Sequence, residues 1–178
     1  MTEKKANIAL IGFMGTGKTS VGEALADRLG ILYVRTDDLI VEQTGKPISE
    51  IFRQDGEKRF RELEAEVVRR VSSRRRAVID CGGGVVLNRE NIERLRQNSA
   101  IILLTSSPEV ILERILRNGD QRPLFNNVDK PATIRRLLSM REHLYRDAAD
   151  YVVDTSRLSV MEVVEKILEY VGSNSLTK

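Results

Sequence analysis

Residues Asn7-Ile8-Ala9-Leu10-Ile11 run straight into Gly12-Phe13-Met14-Gly15-Thr16-Gly17-Lys18-Thr19. The second segment has the Walker A spacing G-x-x-x-x-G-K-[ST], and it stands where that motif has physical meaning, between an aliphatic strand and a helix. Its glycines permit a tight turn in which several backbone N–H groups face one anion, while Lys18 can reach terminal phosphates and the Thr19 hydroxyl can hold Mg²⁺. The plainer alternative is a turn that merely tightens strand-to-helix packing. The strand-to-helix context favours a nucleotide. An N-K-x-D order, which would select guanine, is absent, since Asn127-Val128-Asp129-Lys130 has a different order. Adenine, and therefore ATP, is expected.

The rest of the chain repeats the same alternation. Short aliphatic runs at Asn7 to Ile11, Ile31 to Val34, Ala77 to Asp80, Ala100 to Thr105 and Tyr151 to Asp154 read as strands, with amphipathic helical patterns between them. Such β-then-α order predicts an α/β fold, a three-layer sandwich in which a five-stranded parallel sheet carries helices on both faces. Helix punctuation agrees: Gly30 follows the first helix, Ser107 and Pro108 supply a cap and a first-turn proline, and Ser159 with Glu162 has capping-box spacing. Asn118 to Asp129 is the least regular stretch and reads as a loop between two helices. No repeat, linker or compositional break divides residues 1–178, so one domain is expected.

Composition narrows the function classes. The 178 residues suffice for a domain that buries roughly 70% of its unfolded surface, and the lone Cys81 cannot form an internal disulfide. A reducing, cytoplasmic setting is expected. The longest unbroken aliphatic stretch, Ala100 to Leu104, is far below spanning length, so no membrane association is expected. Basic residues number 29 against 26 acidic, a net charge of +3, and aromatics make up only 4%. That balance, with few stacking platforms, argues against a nucleic-acid partner. Arginine outnumbers lysine 21 to 8, a bias suited to forked recognition of carboxylate and phosphate.

Two helical segments carry charges where apolar residues belong. In the helix from about Lys130 to Ala149, Ile134, Leu137, Leu138, Leu144, Tyr145 and Ala148 share one stripe, and Arg141 falls in its middle. A guanidinium there needs an anion, unless its stem lies on the core while its head snorkels out or pairs with a structural carboxylate. His143 projects to the opposite face and is read as solvated. In Glu57 to Ser73 the stripe is Phe60, Leu63, Val67 and Val71, with Glu64 inside it and Arg61 at its border. Arg61 and Glu64 are an i, i+3 pair, and a carboxylate among apolar neighbours suits an Arg61 aimed at a ligand better than a surface ion pair. Arg74-Arg75-Arg76 reads as a solvated loop.

Ligands of open α/β sheets bind beyond the carboxyl ends of the strands. Three polar clusters fall there: Arg35, Thr36, Asp37 and Asp38; Asp80, Cys81, Gly82, Gly83 and Gly84; and Thr105, Ser106 and Ser107. The glycine triplet lets backbone approach a ligand closely, or is simply a flexible turn. Asp80, directly after Val78 and Ile79, resembles a Walker B acid that would hold Mg²⁺, or else caps the following turn.

Taken together, the Walker A loop, Thr36-Asp37, Phe60-Arg61-x-x-Glu64, the Gly82-Gly83-Gly84 triplet, Arg122-Pro123-Leu124 and Arg141 before Leu144-Tyr145 resemble the shikimate kinases. These are P-loop kinases of the nucleoside monophosphate kinase group, and the likeness runs from Ile8 to about Leu168. The resemblance implies MgATP-dependent phosphorylation of the 3-hydroxyl of shikimate, in the route to aromatic amino acids. It implies that Gly15, Thr16, Gly17, Lys18, Thr19 and Ser20 hold ATP with Arg117 and Arg157 beside the adenine. By the same likeness Arg61 and Arg141 clamp the shikimate carboxylate, and Asp37 orients or deprotonates the attacking hydroxyl. The Gly82 to Gly84 backbone then donates to the acceptor. Arg122 would close with a lid near residues 118–129 onto the transferring phosphoryl, and residues 37–73 would form the substrate-binding region. Lys18, Asp37 and Arg122 are the expected catalytic groups. One departure stands out: the family has an aspartate two residues before the substrate-binding one, beside Mg²⁺, and here that position is Arg35. Asp80, with Thr19, is expected to supply the metal-side carboxylate. A monomer is expected. Rival readings are a kinase for another small hydroxy acid or a nucleotide, and a paralogue that binds nucleotide without efficient turnover.

Overall fold

The computed structural model describes residues 5–117 and 129–173. Five strands, β1 (Asn7–Ile11), β2 (Leu32–Arg35), β3 (Ala77–Asp80), β4 (Ser99–Thr105) and β5 (Tyr151–Asp154), form one sheet in the order β2-β3-β1-β4-β5. Every neighbouring pair is parallel. The helices are α1 (Lys18–Leu29), α2 (Thr36–Thr44), α3 (Ile48–Gln54), α4 (Gly56–Ser72), α5 (Arg89–Asn98), α6 (Pro108–Arg117), α7 (Lys130–Ala148) and α8 (Val160–Ser173), with a 3-10 turn at Val85–Leu87.

Alternation along β1 explains the three layers. Ala9 and Ile11 join one apolar cluster with residues of α3, α4, α5 and α7, whereas Ile8 and Leu10 join another with α1 and α8. All five β1 residues are buried, as expected of a central parallel strand covered on both faces. Local capping agrees with the sequence. The Ser159 N–H donates to Glu162 Oε2 at 2.7 Å and the Glu162 N–H to Ser159 Oγ at 3.3 Å. Gly30 closes α1 at φ 62°.

The expected strands are all present, with three shifted ends, one of them the start of β4 at Ser99 rather than Ala100. β2 begins and ends one residue later than its aliphatic run, because Arg35 pairs in register with Asp80 at the end of β3. Strand pairing, not side-chain polarity, sets that boundary. α2 starts at Thr36, so Arg35, Asp37 and Asp80 all sit at the carboxyl edge of the sheet beside the β1–α1 loop. Of the expected loop at residues 118–129, only Asp129 is described, where its side chain caps α7 by accepting from the Ala132 N–H at 3.0 Å.

Candidate active site

The β1–α1 loop wraps around a small cavity of about 170 Å³ whose walls include Gly15, Gly17, Lys18, Thr19 and Asp80. Gly17 caps α1 in the left-handed conformation, which aims the first N–H groups of the helix into this space. The Lys18 ammonium donates to the carbonyls of Gly12 and Phe13 at 2.9 and 3.1 Å. Thr16 fixes the loop from inside, its hydroxyl donating to the Phe13 carbonyl at 2.7 Å.

Asp80 is the focus of the opposite wall and is buried. Its Oδ2 accepts from the Thr19 hydroxyl at 3.1 Å and the Tyr33 hydroxyl at 2.9 Å, while Arg35 Nε lies 3.8 Å away. Burial and the Asp80 charge push the Tyr33 hydroxyl above its ordinary range, so it remains a donor. Tyr33 does not stand out in the sequence as an active-site residue, whereas Thr36 falls in the polar cluster that follows β2. Thr36 accepts from the Gly82 N–H at 3.0 Å and donates to the Asp80 carbonyl at 3.4 Å. The Gly82 N–H is therefore committed to the protein, which narrows the expected backbone donors of the triplet to Gly83 and Gly84.

Beside it opens a larger cavity of about 660 Å³, formed between α2, α3, α4, α7 and the glycine triplet. Arg61 and Arg141, from separate helices, both line it, as do Asp37 and Glu64. Arg61 Nη1 donates to Glu64 Oε2 at 2.9 Å and Nη2 to Glu57 Oε1 at 3.1 Å, and its guanidinium carbon lies 5.1 Å from the Phe60 ring centre. Among the described residues Arg141 makes no ion pair. Glu64 is fully buried. Burial pushes its carboxyl above the usual range, Arg61 and Arg141 pull it back, and nearby Asp37 adds to the rise. Two acids and two guanidiniums thus act on one another across a single space.

Glycine at 82 and 84 makes that crowding possible. A Cβ on Gly82 would lie 2.7 Å from Asp37 Oδ1 and 3.0 Å from Glu64 Oε1, and one on Gly84 would lie 2.2 Å from Arg61 Nη1. At 2.7 and 2.2 Å the Asp37 and Arg61 side-chain ends would have to move away. Tyr145 locks α7 to the same turn by donating to the Gly83 carbonyl, and burial raises its hydroxyl to about 12 with Arg141 opposing. Cys81 is buried, and desolvation raises its thiol far above the reactive range.

A third cavity, of about 230 Å³, adjoins the loop on the α8 side and is walled by Ser20, Val21, Arg114, Thr155, Leu158 and Val163, among others. Arg114 bonds the Gly15 carbonyl at 3.1 Å and Thr155 Oγ1 at 3.0 Å, tying α6 to the phosphate loop. The two arginines expected beside the adenine do not line this cavity. Arg117 pairs with Glu113 and is exposed, and Arg157 is exposed as well. Arg114 lies on the same helix, α6, as buried Ile111 and Ile115. His143 is exposed, as its projection implies. Arg122 lies outside the described residues.

A phosphate-binding loop that shares a wall with a cavity of converging guanidiniums and carboxylates defines a P-loop kinase acting on a small molecule. Residues 14–172 match the family profile described as shikimate kinase, and the chain belongs to that family. A shikimate kinase of Pelotomaculum thermopropionicum is 46% identical over 169 residues, covering 95% of this chain and 97% of that protein. One from Thermodesulfovibrio yellowstonii is 46% identical over 92% of this chain and 93% of that protein. Among solved structures, shikimate kinase from Acinetobacter baumannii in complex with shikimate superposes with a TM-score of 0.91 at 36% identity, covering 98% of this chain and 97% of the other.

Proposed function

We propose that this chain transfers the γ-phosphoryl group of ATP to the 3-hydroxyl of shikimate, as a cytoplasmic monomer. The observation that carries this reading is the convergence of Arg61 and Arg141 with Asp37 on one cavity beside the phosphate loop. A small acceptor with one carboxylate and several hydroxyls matches that set. Two guanidiniums bind the carboxylate at one end, and Asp37 accepts from a ring hydroxyl at the end nearer the loop. As the hydroxyl oxygen bonds to the γ-phosphorus, the bond to the bridging oxygen of ADP breaks and the hydroxyl proton passes to Asp37. Lys18 and the loop N–H groups hold the phosphates in line, and Arg122 is assigned by its motif to the transferring group. Most of the rate enhancement of such a reaction comes from positioning and charge. Among the described residues, no helix is long and apolar enough to cross a membrane.

The residues facing the loop fit a divalent cation. Asp80 is a buried carboxylate that touches the Thr19 hydroxyl in the phosphate cavity, an oxygen pair suited to Mg²⁺ and its water. Bound there, Mg²⁺ would neutralise phosphate charge and orient it. Asp80→Ala is expected to raise the Mg²⁺ concentration for half-maximal rate about tenfold and to weaken the Mg²⁺-dependent part of ATP binding in titration calorimetry. Unchanged Mg²⁺ dependence in both assays would remove Asp80 from the metal site.

An ADP-release assay across shikimate, gluconate and nucleoside monophosphates tests the acceptor. Turnover with shikimate alone is expected. Preference for another acceptor, or tight binding of nucleotide and shikimate with no turnover, would overturn the assignment.

A further inference from the structure

The phosphoryl group must cross from the phosphate cavity to the acceptor cavity, and the described residues lining both are Met14, Arg35, Asp37, Gly82 and Gly83. Arg35 is the sole cation among them. Lys18 lies in the first cavity's wall, and Arg61 and Arg141 in the second's.

Resting on the kinase reading above, we infer that Arg35 is a catalytic residue that places its guanidinium on the phosphoryl group in transit. Its position is set by the fold. As the last residue of β2, held in register with Asp80, it sits at the sheet edge where ligands bind. Its present contacts are weak enough to exchange. Nη1 lies 3.2 Å from the Asp38 carboxylate, which is 62% exposed, and Nε is 3.8 Å from Asp80 Oδ2, beyond hydrogen-bonding distance. An exposed ion pair of this kind contributes little. Nη2 has no partner among the described residues. A phosphoryl group in flight spreads negative charge over three equatorial oxygens, and a forked, permanently charged donor at the crossing point meets that charge with little reorganisation. The arrangement also divides labour between two neighbours: Asp37 receives the proton and Arg35 receives the developing phosphoryl charge.

The rival role for Arg35 is a counter-ion that merely holds Asp80 in place. The two are separable in Arg35→Ala and Arg35→Lys, both at a half-exposed site where the fold is expected to survive. Arg35→Ala is expected to lower kcat with shikimate about 10²-fold, with the KM of ATP and of shikimate each within about threefold of wild type. Binding of shikimate or ADP singly should be unchanged, while the ADP–aluminium fluoride–shikimate complex, which carries a planar phosphoryl mimic, should bind at least about 30-fold more weakly. Arg35→Lys should recover part of both losses. The inference is overturned if Arg35→Ala keeps kcat within threefold of wild type. It is equally overturned if the loss disappears at high Mg²⁺ with aluminium fluoride trapping intact, because Arg35 would then act only through Asp80. A wild-type chain that transfers nothing to shikimate would remove the kinase reading itself, a result distinct from either of these.

Discussion

Asp37→Asn is expected to lower kcat with shikimate by about 10³-fold while the KM for ATP stays within about twofold. The amide keeps the size and shape of the carboxylate but removes the one carboxylate, among the described residues of the shared wall, able to receive the hydroxyl proton, and general-base groups contribute roughly 10²- to 10⁴-fold. In the proposed reading ATP lies on the other side of that wall, against the loop and Lys18 that line the phosphate cavity, so its binding should hardly change. Stability supplies the control. Asp37 and the fully buried Glu64 both crowd against Gly82, and the Asp37 charge adds to the rise of the Glu64 carboxyl beyond what burial imposes. Removing a like charge relieves that repulsion, so the melting temperature should hold steady or rise while activity collapses. Steady-state kinetics beside a thermal melt checks both halves. A variant that keeps kcat within threefold of wild type would leave Asp37 as a hydrogen-bonding partner of the acceptor and nothing more.

The sequence exposes this site where a charge breaks an apolar pattern. Glu64 inside the stripe of α4 and Arg141 inside that of α7 are conspicuous because a helix face headed for the core excludes charge, and both line the acceptor cavity. The strands are legible for the complementary reason, that central parallel strands are aliphatic throughout. Tyr33 and Thr36 escape the same reasoning. Tyr33 occupies an unremarkable position in β2, Thr36 shows only as a polar residue just after it, and each takes its role from residues in or just after β3, more than 40 residues along the chain. Such roles follow from strand order, which alternation alone does not give. Arg114 is intermediate: its helix face gives it away once Ile111 and Ile115 are known to be buried, but nothing local announces that it will reach the Gly15 carbonyl.

The two acceptor-cavity arginines should differ in what their loss does to the fold, although both should weaken shikimate binding. Arg61→Ala and Arg141→Ala are each expected to raise the KM for shikimate about 30-fold, roughly 2 kcal/mol for a charge-assisted contact to a carboxylate. Arg61, however, also donates to Glu64 at 2.9 Å, and Glu64 is buried with no other ion-pair partner among the described residues. Truncating Arg61 strands that carboxylate, and an orphaned buried charge costs about 3 kcal/mol or more unless it takes up a proton. The melting temperature of Arg61→Ala should therefore fall, and fall further as pH rises. A raised Glu64 pKa means that the folded chain holds a proton the unfolded chain has released, so stability is lost on the alkaline side of the ordinary carboxylate range. Arg141→Ala should lower the melt less than Arg61→Ala, because Arg141 makes no ion pair among the described residues and acts on Glu64 less strongly than Arg61 does. Adding Glu64→Gln to Arg61→Ala should restore the melting temperature without restoring the KM, which separates the structural duty of Arg61 from its ligand duty. The primary amide of shikimate provides the last arm: lacking the anion, it should respond less than threefold to either arginine substitution. If the amide lost as much as the acid did, the two guanidiniums would be shaping the cavity rather than binding a carboxylate.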